Sequence, residues 1–116
     1  KVDDREAQAL TGEEEFSQAA ETLSRQGPRE VMITHREGVL VLAEGKIWQA
    51  RFKFRSLAGR TGRGDTCFSA YLGRRLLGDS PEGAVKFATA LTSLKLEQPG
   101  PFQGLLEEVD RLAAGL

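Results

Sequence analysis

Gly59, Gly62 and Gly64 fall within six residues and are followed at once by Asp65, in the stretch Leu57-Ala58-Gly59-Arg60-Thr61-Gly62-Arg63-Gly64-Asp65. Glycine accepts backbone angles closed to other residues and lets another group come close to the main chain. The hydrophobic period changes here from two to helical, so the stretch joins a strand to a helix N-terminus. The free N–H groups and positive dipole end of that helix point back at the loop. Such a loop can hold an anion, a phosphate in transfer above all. A carboxylate beside a phosphate is unfavourable unless it has a task, and the task that fits Asp65 is to take the proton from a hydroxyl attacking phosphorus. The competing reading is an ordinary Gly-rich turn with Asp65 as a helix cap, and on spacing alone it is the commoner one. No Lys-Ser or Lys-Thr pair follows Gly64, so the loop is not a P-loop. Arg60 and Arg63 flank the glycines, where a guanidinium can meet phosphate or stay solvated.

The elements that must position this loop are legible on both sides. Asp3 or Asp4 can cap a short helix through Glu6 and Leu10 that stops at Gly12. Phe16, Ala19, Ala20 and Leu23 give a second helix an apolar face, with Glu13, Glu14 and Glu15 in its first turn, and Gly27-Pro28 ends it. Val31–Thr34 and Val39–Leu42 are short aliphatic runs of the buried-strand kind. Glu44-Gly45 turns the chain into a strand over 46–55, where Trp48, Ala50, Phe52 and Phe54 alternate with polar residues. Past Gly64 the spacing predicts a helix whose face is Phe68, Leu72 and Leu76, ending at Gly78. Ser80-Pro81 is a cap and first-position proline for the next helix, whose stripe is Ala84, Phe87, Ala88, Leu91 and Leu94. Gln98-Pro99-Gly100-Pro101 breaks it, and Phe102, Leu105, Leu106, Val109 and Leu112 predict a last amphipathic helix. No internal repeat or linker divides the chain, so the expectation is a single α/β unit.

Composition narrows the function classes. With 16 Lys and Arg against 17 Asp and Glu, the net charge of −1 offers no general attraction to nucleic acid or anionic membrane. Cys67 is the only cysteine, which rules out an intrachain disulfide and suits a reduced, cytoplasmic compartment. One cysteine and one histidine argue against a structural zinc site. Cys67, Trp48 and Phe52 read as packing, and His35 as a loop residue. No apolar run has the length of a membrane span. The chain opens Lys1-Val2-Asp3 without methionine, directly ahead of a helix start, which reads as a cut.

Thr61-Gly62-Arg63-Gly64-Asp65-Thr66-Cys67-Phe68-Ser69-Ala70 resembles the second signature of the ribokinase-like (PfkB) carbohydrate kinases, D-T-x-G-A-G-D-x-F-x-A-G. Lys1-Val2-Asp3-Asp4-Arg5-Glu6-Ala7 with Leu10-Thr11-Gly12 resembles that family's K-x-N-x-x-E-A…L-T-G segment. Ile33-Thr34 with Gly38, then Phe87-Ala88-Thr89-Ala90 and Pro99-Gly100, fall in the family's order. The resemblance implies the C-terminal part of a ribokinase-like three-layer α/β/α fold, with its strands over 30–55 and flanking helices, and with the N-terminal substrate and lid half outside residues 1–116. It implies an anion hole at Gly62, Arg63 and Gly64 and a catalytic base at Asp65. Nucleotide contacts fall at Thr34, Gly38 and Thr89, and Glu6 helps to organise a metal through water. ATP and Mg2+ are the implied cofactors, and a sugar or polyol the implied acceptor. Gly59-Arg60 replaces the family's Asp-Thr, Arg63 its Ala, Asp3 and Thr89 its Asn residues, and the turn from Thr34 to Gly38 is shorter. The alternative is a non-catalytic, anion-binding or interaction remnant of the same fold.

Overall fold

In the computed structural model, residues 1–53, 63–98, 102 and 104–116 are described. The aliphatic runs expected to be strands are β2 (Val31–His35) and β3 (Gly38–Ala43). They pair antiparallel with Ile33 opposite Leu40, and β3 pairs antiparallel with β4 (Lys46–Arg51), Val41 opposite Trp48. Glu44 and Gly45 make the β3–β4 turn with φ of 53° and 73°. Two consecutive positive φ values define the tight hairpin whose twist matches its strands. A short strand that the sequence reading did not anticipate, β1 (Val2–Asp3), lies parallel to β2 with Asp3 opposite Thr34. The sheet order is β1-β2-β3-β4.

The period of two sorts the strand residues between two cores. Met32, Val39, Val41 and Ala43 face α3 (Arg63–Leu76) and α4 (Pro81–Leu96), meeting Cys67, Tyr71, Ala84 and Ala88. Val31, Ile33, Leu40 and Leu42 face α1 (Asp4–Thr11) and α2 (Phe16–Ser24), meeting Ala7, Ala19, Ala20 and Leu23. Strands covered on both faces need no polar side, which is why β2 and β3 read as continuous apolar runs. The result is the expected α/β/α layering. A smaller cluster of Phe87, Ala90 and Val109 fixes α5 (Leu106–Ala114) on α4. No helix among the described residues is long and apolar enough to cross a membrane.

Caps account for the boundaries. Ser80 Oγ accepts the Gly83 N–H at 3.1 Å, with Pro81 in the first turn of α4. Gly12, with φ of 74°, closes α1. Glu13, Glu14 and Glu15 precede α2 and are not in its first turn; Glu15 is its N-cap and makes no side-chain capping bond. Strand β4 stops at Arg51, short of the expected residue 55. The backbone then bends toward α4, where the Lys53 N–H donates to Ser93 Oγ at 2.8 Å. Phe52 stays buried, while Phe54, Arg55 and the Pro99–Pro101 break lie outside the described residues.

The stripe expected on α3 faces outward, and that of the last helix is buried only in part. Phe68, Leu72 and Leu76 are 36%, 43% and 79% exposed, whereas Cys67 and Tyr71 form the buried face of α3. Small Cys67 lets the helix approach the sheet, and Tyr71 can be buried because its hydroxyl donates to Glu30. Of the stripe expected in the last helix, Leu105 and Leu106 are exposed, while Val109 is buried and Phe102 and Leu112 pack against its cluster.

Candidate functional site

Helix α3 starts at Arg63, with Asp65 in its first turn. Amides at such a start have no helical acceptor, so they point at whatever lies in front of the helix. What lies there is brought by the sheet. The Lys1 Nζ donates to Asp65 Oδ1 at 3.1 Å, across 64 positions of sequence. A Cβ on Gly64 would sit 3.2 Å from Lys1 Cε and 3.5 Å from Thr34 Oγ1. The start of β1, the end of β2 and the start of α3 therefore meet at Gly64. The Asp65 side chain is 87% exposed and that of Lys1 28%. Gly64, Asp65 and Arg63 occupy one helix end as the sequence places them; Gly62, Gly59 and Arg60 lie outside the described residues.

The other candidate residues are engaged in the fold. Glu6 closes a capping box: its Oε1 accepts the Asp3 N–H at 2.9 Å while Asp3 Oδ1 accepts the Glu6 N–H at 2.7 Å. Among the described residues no group of three or more His, Cys, Asp or Glu side chains could hold a metal ion. Thr34 is 2% exposed. Thr89 is fully buried, and its hydroxyl donates to the Val85 carbonyl at 2.7 Å. Gly38 owes its glycine to the ladder, since a Cβ there would lie 2.2 Å from the Ala50 carbonyl oxygen.

The short turn after Thr34 is filled from within. The His35 ring lies 4.7 Å from the Phe16 ring, and its Nδ1 accepts the Glu37 N–H at 3.3 Å. Burial, aided by Arg63 and Arg51 and opposed by Asp4 and Glu37, holds the His35 imidazole below its ordinary pKa. His35 is therefore the packed last residue of β2, more constrained than a loop residue. Beyond it opens a cleft of about 570 Å3 lined by His35, Arg51, Lys53 and Lys86 among others. Its cations have partners: Arg51 with Glu37, Lys86 with Glu82, and Lys53 with the Gly115 carbonyl.

Sequence reasoning gave Lys1 no role of its own, because nothing in a linear sequence signals an ion pair between residues 64 positions apart. It also missed a cluster behind α3, in which Arg75 pairs with Glu30 at 3.0 Å and with Glu44 at 3.5 Å. Tyr71 and Arg75 both donate to Glu30. Burial alone would raise the Glu30 pKa, and these two donors and the Arg75 charge outweigh it and bring it down.

Residues 1–107 match the pfkB family of carbohydrate kinases. No curated protein sequence matches the chain. Among solved structures, a pyrophosphate-dependent kinase in the ribokinase family, in complex with sulfate, is 41% identical, covers 94% of this chain and 38% of its own, and superposes with a TM-score of 0.82. A pyrophosphate-dependent kinase in the ribokinase family complexed with a pyrophosphate analogue and myo-inositol is 40% identical, with 95% and 39% covered and a TM-score of 0.82. An Arabidopsis thaliana ribokinase complexed with ribose and ATP is 24% identical, with 97% and 40% covered and a TM-score of 0.81. That last likeness is one of fold. The chain spans about two-fifths of the length of each of these structures.

Proposed function

The chain belongs to the pfkB family of carbohydrate kinases, and from that premise we propose that it carries the phosphoryl-transfer end of a kinase acting on a hydroxyl of a sugar or sugar-like alcohol. The observation that carries this reading is Asp65, exposed in the first turn of α3 beside the backbone of Gly64, within the stretch the family match covers. The amides of Gly62, Arg63 and Gly64 form the anion hole and donate to the oxygens of the phosphoryl group in flight. Asp65 accepts the acceptor's hydroxyl proton as the new O–P bond forms. The anhydride P–O bond breaks, and its electron pair leaves with the departing phosphate. Phosphoryl transfer has a loose transition state rich in charge, so positioning and donors of positive charge supply most of the acceleration. Residues 1–116 are, on this reading, the C-terminal part of the kinase, and alone they turn over no sugar.

ATP with Mg2+ is the donor that the family resemblance implies, through Thr34, Gly38 and Thr89, with Glu6 toward the metal. The Thr89 hydroxyl and one Glu6 oxygen are already engaged, and Thr34 is buried, so this reading rests on backbone groups and no step here runs through magnesium. A second reading of the donor, inorganic pyrophosphate, is favoured by two observations. The structures near 40% identity belong to pyrophosphate-dependent kinases. The residues on the nucleotide side are also packed into the fold, and pyrophosphate needs an anion site but no base pocket. The acceptor that goes with it is a polyol of the inositol kind.

The test is a donor and acceptor screen of the full-length protein, with labelled ATP or pyrophosphate against sugars, inositols and nucleosides. Pyrophosphate-driven transfer to a polyol is the expected result. Transfer from ATP alone would overturn the second reading. No transfer from either donor would overturn the first and leave the non-catalytic, anion-binding remnant.

A further inference from the structure

We propose that Glu30 is a positioning residue for phosphoryl transfer: through Tyr71 and Arg75 it holds α3 against β2 and so aims Asp65. This rests on the kinase reading above. Strand β2 and helix α3 lie side by side and run in opposite directions. Near the end of β2, Thr34 Oγ1 lies 3.5 Å from where a Gly64 Cβ would be, at the start of α3. In the middle, Met32 shares a core with Cys67 and Tyr71. Glu30, immediately before β2, accepts from the Tyr71 hydroxyl, from Arg75 Nη2 at 3.0 Å and from Arg75 Nε at 3.3 Å. The lengths agree. From Glu30 to Thr34 a strand rises about 13 Å, and from Gly64 to Tyr71 and Arg75 a helix rises about 10–17 Å. One strand therefore grips the helix at both ends.

The middle of that grip is slight. Cys67 and Tyr71 are the buried residues of α3, and Cys67 is small. Phe68 and Leu72 stand one position further on, turned by about 100° about the helix axis. With Val31 and Met32 they line a cavity of about 480 Å3. A turn of α3 into that cavity would bury apolar surface that now faces outward, so apolar packing alone does not fix the helix. What opposes the turn is polar. It would part the buried Tyr71 hydroxyl from Glu30, and an unpartnered buried hydroxyl costs more than an ordinary hydrogen bond contributes. It would also pull on Arg75, whose Nη1 donates to the Asp79 carbonyl at 2.8 Å and whose Nη2 lies 3.5 Å from Glu44 in the β3–β4 turn. Asp65 stands on the same helix. A rotation of about 10° moves a side-chain tip about 6 Å from the axis by about 1 Å. A misplacement of about 1 Å at a reacting group can lower the rate about a hundredfold. Glu30 takes no part in the bond changes and acts through Asp65.

The experiment combines turnover and thiol labelling of the full-length protein, under conditions where urea titration finds each variant fully folded. Glu30→Ala should lower kcat by roughly tenfold to a hundredfold, with acceptor KM within about threefold of the parent. Glu30→Gln, which keeps an acceptor for Tyr71 but no charge for Arg75, should lose less. Because the effect runs through the base, Glu30→Ala should change the residual rate by less than about threefold in an Asp65→Asn background. Labelling reports on the helix itself. Cys67, on the inner face of α3, should be modified at least about tenfold faster in Glu30→Ala than in Leu23→Ala, provided the urea midpoint of Leu23→Ala is no higher. Leu23 lies in the core on the opposite face of the sheet, so its variant controls for a general loss of stability. A kcat for Glu30→Ala within about twofold of the parent, or an equal loss with and without Asp65→Asn, would overturn the proposal. So would Cys67 labelling no faster than in Leu23→Ala. Tyr71→Phe, which keeps the ring and removes the donor to Glu30, replaces Glu30→Ala if that variant does not fold. Should the parent transfer nothing, the kinase reading fails, and Cys67 labelling alone supports or overturns the hold of Glu30 on α3.

Discussion

Gly38→Ala separates a glycine required by the sheet from one required by a ligand. Gly38 stands opposite Arg51 in the β3–β4 ladder. An added Cβ would lie 2.2 Å from the Ala50 carbonyl oxygen, 3.0 Å from Arg51 Cα and 3.1 Å from the Ala50 carbonyl carbon. All three are backbone atoms, so no side-chain rotation relieves the clash and the end of β4 must move away from β3. Phe52 moves with it, because its N–H donates to the Glu37 carbonyl at 2.9 Å and its ring belongs to the core. Overpacking of this kind plus a weakened ladder bond costs about 2–4 kcal/mol. With a urea dependence of about 2 kcal/mol per molar, the unfolding midpoint should fall by about 1–2 M at unchanged slope. Far-UV circular dichroism of the full-length protein in urea measures it. Gly73 provides the opposite sign: it lies within α3 with open space where its Cβ would be, so Gly73→Ala should stabilise by about 0.5–1 kcal/mol. A Gly38→Ala protein with the parental midpoint and a raised donor KM would refute the steric reasoning and return Gly38 to the donor site.

Burial pushes the Cys67 thiol up to about 12, so alkylation at pH 8 followed by peptide mass mapping should find it unmodified until the protein unfolds; rapid labelling in the folded state would contradict its place in the core. The folded Glu30 carboxyl titrates below its ordinary 4.5, so the unfolded chain takes up this proton more readily. Its contribution is therefore present above that value and is lost as the pH falls through the folded one. Glu30→Gln should be less stable than the parent at neutral pH, with a gap that narrows in acid, and a gap independent of pH would refute the link.

What was legible in the sequence is what local physics decides. Strands β2 and β3 announce themselves because burial on both faces demands unbroken aliphatic runs, and Ser80-Pro81 because a cap acts within a single turn. The face of α3 was not legible. Phe68, Leu72 and Leu76 have good helical spacing, and the choice between their stripe and that of Cys67 and Tyr71 is made by a sheet contact with Met32 and Val41 and by Glu30, all distant in sequence. Thr89 and Gly38 occupy family positions that suggest ligand contact, yet a back-bonded hydroxyl in an apolar helix and a crowded ladder already explain both residue types. In the site itself, Gly64 and Asp65 were readable as a helix start. The arrival of Lys1 was not, since it depends on β1 pairing with β2.

Turnover of Asp65→Asn in the full-length protein, with its best donor and acceptor, bears most directly on the proposed chemistry. Asparagine keeps the size and the capping ability of the side chain but cannot take the proton. The kcat should fall roughly a hundredfold or more, the scale of a lost general base, with the urea midpoint unchanged and donor binding no weaker. A variant that folds as the parent does and turns over within about threefold of its rate would make Asp65 a helix cap and contradict the mechanism.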